Sequence, residues 1–166
     1  MADNSPTMAT SDLRLRPMRP DEYPTWVAAS KAAYAKDIAE HGGGTVEVAQ
    51  AKADADFAAI LPDGLETPGH AILVAEVNGE QVGRLWIAER ENFGQRFLYI
   101  YEITIDKAER GKGYGRATML LAETEARARG LDRLQLNVFG GNAVARGLYR
   151  SLGYIESAVY MAKELD

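Results

Sequence analysis

Apolar and polar positions along the chain change period several times, and each change marks an element. LRLRPM, from Leu13, alternates apolar with basic side chains and predicts a short strand ended by Pro17 and Pro20. From Pro24 the spacing becomes helical, with Trp26, Val27, Ser30, Ala33, Tyr34 and Ile38 on one face until glycines 42–44 interrupt it. A second helix is predicted over Val46–Ile60, closed by LPDG, with Asp54 and Asp56 on a solvated face or lining a cleft. HAILVAEVNGEQVGRLWIAER reads as two strands joined at Asn78-Gly79, a strong hairpin signal. Residues 96–105 are apolar on both faces, as in the centre of a covered sheet, and pair back through ENFG.

A glycine-rich turn follows, and then a helix whose inner stripe is Ala117, Leu120, Leu121, Thr124 and Ala128, ended by Gly130. LQLNVF, at 134–139, is again a strand, so this stretch is a βαβ crossover with parallel strands. Asn142 caps a helix through VARGLYRSL, Gly153 closes it, and residues 154–165 read as one or two final strands. The predicted class is α/β (α+β): a mixed sheet with helices on both faces, spanning residues 13–166 after a disordered polar tail at 1–12.

The turn itself carries chemistry. Gly111, Gly113 and Gly115 let the backbone curl and clear the way for a ligand, while Arg110, Lys112 and Arg116 surround it with positive charge. A helix starting near Tyr114 aims free N–H groups into the same space, which suits a phosphate or pyrophosphate. Spacing excludes a P-loop, because Gly113 is followed by Tyr114 rather than Lys, and excludes the dinucleotide fingerprint, because Arg116 stands where its third glycine belongs.

Composition narrows the class of protein. At 166 residues and 18.1 kDa, with 46% hydrophobic and 26% charged residues, one globular domain is expected. With no cysteine there is no thiol nucleophile or thiolate metal site. A formal net charge of −5 speaks against nucleic-acid or anionic-membrane binding and favours a cationic acceptor. The amino terminus lacks a basic-then-apolar leader pattern and no segment is apolar enough to span a bilayer, so a soluble cytoplasmic protein is expected.

Arg110-x-x-Gly113-x-Gly115, preceded by Ile103-x-Ile105, resembles the acetyl-coenzyme A loop of the GNAT superfamily of N-acetyltransferases. About thirty residues further on, Leu136-x-Val138, Asn142, Ala145, Leu148, Tyr149 and Gly153-Tyr154 resemble that family's later segment, with Tyr154 in place of the usual Phe. The resemblance implies a mostly antiparallel sheet of about six or seven strands in which a parallel pair splays apart. It implies acetyl-CoA as donor, with pantetheine along Ile103, Thr104 and Ile105 and pyrophosphate on the run Arg110, Gly111, Lys112, Gly113, Tyr114, Gly115 and Arg116. Asn142, Ala145 and Tyr149 belong to the same cofactor site by this transfer, and family members often pair as homodimers through sheet edges or late strands.

In such enzymes an amine attacks the thioester directly. An amine of pKa ~10.4 is about 3.4 units from neutral at pH 7, roughly 4.6 kcal/mol that a base or desolvating pocket must offset. Glu102, read as alternating with Leu98, Ile100 and Thr104 on one strand face, is the candidate base; the alternative is an ion pair with a residue such as Arg84. Tyr149, at the family's tyrosine position, is the candidate acid for the departing sulfur, or a core aromatic. Asn142 touches coenzyme A, caps its helix, or does both, and Gly147 suggests close approach of a ligand or another helix. Trp26, Tyr34 and Asp37 lie on the helix that walls the acceptor site in the family, although core packing explains the first two equally well. His41 and His70 have no ligand partners at metal spacing, so no metal is expected. The implied activity is acetyl transfer to a primary amine, of a small molecule or of a protein or peptide; a non-catalytic acyl-CoA-binding regulatory domain is the alternative from another class.

Overall fold

Two helices and a strand hairpin build the first half of the protein. In the computed structural model, which describes residues 12–41, 44–163 and 165, β1 (Arg14–Pro17) leads to α1 (Tyr23–His41) and α2 (Val46–Ile60). The Thr45 hydroxyl accepts from the Val48 N–H at 3.3 Å and starts α2. Of the expected triple glycine only Gly44 is described, with φ of 132°; the other two, and the amino-terminal tail before Asp12, lie outside the described residues.

β2 (His70–Val77) turns into β3 (Glu80–Asn92) through Asn78 and Gly79, both at positive φ (53° and 82°), as the hairpin signal requires. A second such turn, Phe93 and Gly94, leads into β4 (Gln95–Ile105). After α3 (Tyr114–Ala128) comes β5 (Leu134–Leu136), parallel to Leu98–Ile100 of β4, and then α4 (Ala143–Ser151), with the Asn142 side chain accepting from the Ala145 N–H at 3.1 Å. Among the described residues the sheet has five strands in the order β1-β2-β3-β4-β5, antiparallel except for the last pair.

The sheet is covered on both faces. α1 and α2 enclose one core with Trp26, Phe57, Val74 and Trp86, while α3 lays Met119, Ala122 and Ala126 over Leu85, Ile87, Leu98 and Ile100. The stripe expected on α3 is out of phase: Tyr114, Thr118, Met119, Ala122 and Ala126 are buried, and Leu120 is 47% exposed. A helix lying flat on a sheet takes small side chains at its line of closest approach, and its leucines go to the flanks.

The larger departure is at the carboxy end. Tyr154 packs back on the core, but residues 155–163 form no strand, and Ile155, Val159, Tyr160 and Met161 stand in solvent, so the sheet has fewer strands than the six or seven expected. A strand needs a face to bury and an edge to pair with; residues 155–163 are exposed throughout and pair with no strand among the described residues.

Candidate active site

Glycine geometry shapes the loop. Gly111 and Gly113 sit at φ of 77° and 84°, and Gly113 occupies the cap position of α3 with no side chain to close it. The first helical bond runs from the Ala117 N–H to the Gly113 carbonyl at 3.1 Å, so the N–H groups of Tyr114, Gly115 and Arg116 have no acceptor within the helix. No acidic residue sits in that first turn. A Cβ on Gly111 would meet no atom within 4 Å, whereas one on Gly115 would lie 3.4 Å from Leu148 and 3.8 Å from Ile105. The loop is therefore open on one side and packed against α4 on the other.

Its cations are differently engaged. Arg110 Nε donates to the Ile105 carbonyl at 3.0 Å, Lys112 pairs with Glu109 at 2.9 Å, and Arg116 donates to Ser151 of α4. The Tyr114 side chain turns into the core, 6% exposed, so this residue offers the loop its backbone only.

Beyond Ile100 and Leu136, β4 and β5 part. β4 keeps its β3 partners, Leu85 for Ile103, Arg84 for Thr104 and Gly83 for Ile105, but has no strand partner on the β5 side. Tyr101 to Thr104 and Asn137 to Phe139 become facing walls of a cavity of about 540 Å³, roofed by α1 and bordered by Tyr149 and Asn142. Ile103 and Ile105 direct their side chains to the α3 face, leaving backbone toward the gap.

Glu102 is in this cavity by way of a β-bulge. Trp86 pairs with Glu102 but Ile87 pairs with Ile100, so Tyr101 is the extra residue. Leu98 and Ile100 face α3, whereas Tyr101 packs with the α1 and α2 core and Glu102 meets Ser30 of α1. Strict alternation with Leu98 and Ile100 is thus broken one residue before the glutamate. The Ser30 hydroxyl donates to Oε2, and Thr104 Oγ1 donates to Oε1 at 3.2 Å. The alternative ion pair is not made: Arg84 Nη2 goes to Asp106 at 3.1 Å, and the buried Arg84 Nε has no partner among the described residues.

Tyr149 both packs against the core and borders the cavity, and burial pushes its phenol above the ordinary value. Asn142 caps α4 and lines the same cavity; Ala145 of the next turn is half-buried. Gly147 has no atom within 4 Å of where its Cβ would stand, so no neighbouring helix requires it.

Of the three acceptor-wall residues, two are at the cavity. Tyr34 donates to Asp56 Oδ2 at 2.9 Å and Asp37 is half-buried, its carboxyl pushed up by burial. Trp26 is only 2% exposed, edge-on to Trp86 at 5.6 Å between ring centres, and belongs to the core because Trp86 fills the space above it. His70 begins β2, and its Nδ1 accepts from Trp86 Nε1 at 3.0 Å. His41 stacks on Phe139 and, contrary to its sequence reading, has carboxylates near it, since Asp37 and Glu40 bring ligand atoms within 4.8 Å of its ring. Helical spacing places Asp37 one turn below His41.

Sequence reasoning named Ser30 only as part of an apolar stripe, although a hydroxyl on a buried helical face is itself a signal. Tyr99 and Tyr101, which line the cavity, carried no motif at all. A larger groove of about 940 Å³ lies between β5, α4 and residues 153–162, but neither Glu102 nor any glycine-loop residue borders it.

Comparison with known proteins agrees with this geometry. Residues 25–154 match the profile of the Acetyltransferase (GNAT) family. The uncharacterized N-acetyltransferase YycN of Bacillus subtilis is 33% identical over 154 residues, covering 92% of this chain and 99% of YycN, and its crystal structure superposes with a TM-score of 0.87 over 98% of that chain. A mycothiol acetyltransferase of Thermobispora bispora is 32% identical over 86% of this chain and 46% of that protein. The aminoglycoside N-acetyltransferase AAC(6')-Iy, solved in complex with CoA, shares the fold at a TM-score of 0.62 and 13% identity, covering 92% of this chain and 94% of that one. Among the described residues no helix is long and apolar enough to cross a membrane. With an open, uncapped glycine loop at the head of α3 and a parallel strand pair that splays over a carboxylate, the chain belongs to the GNAT acetyltransferase family and is an acyltransferase.

Proposed function

We propose that the protein transfers an acetyl group from acetyl-CoA to a primary amine of a small molecule, in a ternary complex and without a covalent enzyme intermediate. The observation that carries this reading is the splay of β4 from β5 over a cavity that holds Glu102 on one wall and Tyr149 on the other. Open N–H groups at the head of α3, no acidic residue in its first turn, and the clear space at Gly111 fit a pyrophosphate. Arg110, Lys112 and Arg116 add positive charge around it. The backbone of Ile103, Thr104 and Ile105 fits the pantetheine arm, and Asn142 borders its far side.

Bound acetyl-CoA supplies an activated acyl carbon and a thiol leaving group. Glu102, whose oxygens accept from the Ser30 and Thr104 hydroxyls, takes the proton the nitrogen loses as the C–N bond forms. Tyr149 stays protonated at neutral pH, since burial favours its neutral form, and gives its proton to the sulfur as the C–S bond breaks. A cavity of about 540 Å³ suits a small acceptor better than a folded protein surface. A cytoplasmic location follows from the donor.

The test has two arms. Acetyl-CoA raises the melting temperature of the protein, and an assay of free thiol finds turnover in a panel of small amines and short peptides. Glu102→Gln lowers kcat/KM by about 10²-fold or more on the best acceptor. A melting shift with silence across the whole panel would instead favour a regulatory acyl-CoA-binding domain.

A further inference from the structure

The cavity contains a second carboxylate, Asp37, that is paired with no lysine or arginine among the described residues. Ser30, Tyr34 and Asp37 succeed one another along the face of α1 that roofs it. Ser30 marks the position of Glu102, to which it is hydrogen-bonded, and Asp37 lies seven residues further, roughly 10 Å along the helix axis. The charges around Asp37 are committed elsewhere: Lys36 pairs with Glu40 at 3.7 Å, Lys52 with Asp56 at 2.7 Å, and Arg84 with Asp106. Among the described residues the half-buried Asp37 makes no salt bridge; its charged neighbours one turn on are His41, whose ring stacks on Phe139, and Glu40, both with ligand atoms within 4.8 Å of it. Glu102 is likewise bonded only to hydroxyls. The two carboxylates share one cavity whose walls also carry Tyr34, Phe57, Tyr99 and Tyr101.

We propose that the acceptor carries a second cationic group, received by Asp37 while the reacting amine stands at Glu102. The inference rests on the transferase reading above and adds a substrate class to it: a diamine or polyamine with an apolar spacer against the aromatic wall. Such a group relieves the desolvation that pushes the Asp37 carboxyl up, and the phenol and indole faces nearby favour a cationic, methylene-rich ligand over an anionic one. A spacer far shorter than the separation of the two carboxylates leaves one of them unmet, so preference rises with length and then falls. Asp56 is not the receiving group, because Lys52 already neutralises it and the Tyr34 hydroxyl occupies one of its oxygens.

The experiment is a length series. Free-thiol release from acetyl-CoA is followed with α,ω-diamines of three to eight carbons, each against the n-alkylamine and the ω-amino carboxylate of the same length. The expected result is at least a tenfold advantage in kcat/KM for the best diamine over its alkylamine, lodged mainly in KM, with the amino carboxylate poorest. Asp37→Asn brings the diamine-to-alkylamine ratio close to one, and Asp37→Lys turns the preference toward the amino carboxylate. The wild-type series decides even where a variant folds poorly. Equal efficiency for diamines and alkylamines at every length overturns the second-cation site and leaves amine acetylation standing. Silence with every amine, while acetyl-CoA still raises the melting temperature, overturns both.

Discussion

Gly83 of β3 stands where strand packing and the donor site meet. It pairs with Ile105 on one side and Ala75 on the other. A Cβ added there would lie 2.4 Å from the Thr104 carbonyl oxygen, 2.9 Å from Ile105 Cδ1 and 3.2 Å from Ile105 Cα. The methyl end of Ile105 can rotate away; the Thr104 carbonyl cannot, because it is part of the strand backbone. Carbon–oxygen contacts settle near ~3.3 Å, so Gly83→Ala forces the strands apart by about 0.9 Å. Overpacking of this kind costs about 1–3 kcal/mol, and a stretched ladder bond adds about 0.5–1.5 kcal/mol. At about 2–4 °C per kcal/mol for a chain of this size, the melting temperature falls by about 3–18 °C.

The same displacement moves Thr104 and Ile105, the backbone proposed to meet pantetheine, so KM for acetyl-CoA rises in the protein that remains folded. Differential scanning calorimetry reads the first effect and initial rates below the melting range read the second. A Gly83→Ala protein melting within a degree of wild type, with unchanged KM, would show that β3 and β4 yield at no cost and that nothing there requires a glycine.

Three further predictions test other parts of the protein. Gly147→Ala, in α4 with open space around the new Cβ, stabilises by about 0.5–1 kcal/mol through helix propensity, seen as a higher melting temperature; a simultaneous rise in KM for acetyl-CoA would identify this glycine as a point of close ligand approach. Tyr149→Phe keeps the ring in the core and lowers kcat about 10²-fold in the free-thiol assay, whereas full kcat would leave it a packing residue only. The bidentate Arg16–Glu22 contact holds the Glu22 carboxyl down from its ordinary 4.5 to about 2. Its stabilisation is therefore present above pH 4.5 and lost as pH falls from there toward 2; acid unfolding of Arg16→Met, followed by circular dichroism, loses that part of the pH dependence.

What the sequence made legible follows from which signals are local. Asn78-Gly79 and Thr45 act through their own backbone geometry, and the hairpin and the α2 start stand where the pattern puts them. The Arg110-x-x-Gly113-x-Gly115 spacing is local too, and the loop has the uncapped helix start it implied. Position relative to another element was harder to read. The face of α3 that meets the sheet depends on close-packing of Thr118 and Ala122, not on where its leucines fall, and Trp26 belongs to the core because Trp86 arrives from a distant strand. Residues 155–163 are rich in strand-forming side chains such as Ile155, Val159 and Tyr160, yet composition carries no information about whether an edge is there to receive them.

Glu102 is the sharpest case, because the residue named from the sequence lies at the cavity but on a different face from the one expected. Continued alternation past Ile100 would aim the carboxylate at α3, among Leu98, Ile100 and Met119, where a charge has no partner and burial costs several kcal/mol. One extra residue, Tyr101, rotates it to the opposite side, where Ser30 and Thr104 supply two donors. The same bulge bends β4 just where its pairing with β5 stops, after Ile100 and Leu136. A single local irregularity thus coincides with the splay of the two strands and turns the proposed base toward the gap proposed for the donor. It follows that the position of Glu102 and the width of the splay are coupled: a substitution that straightens β4 at Tyr101 should remove both at once.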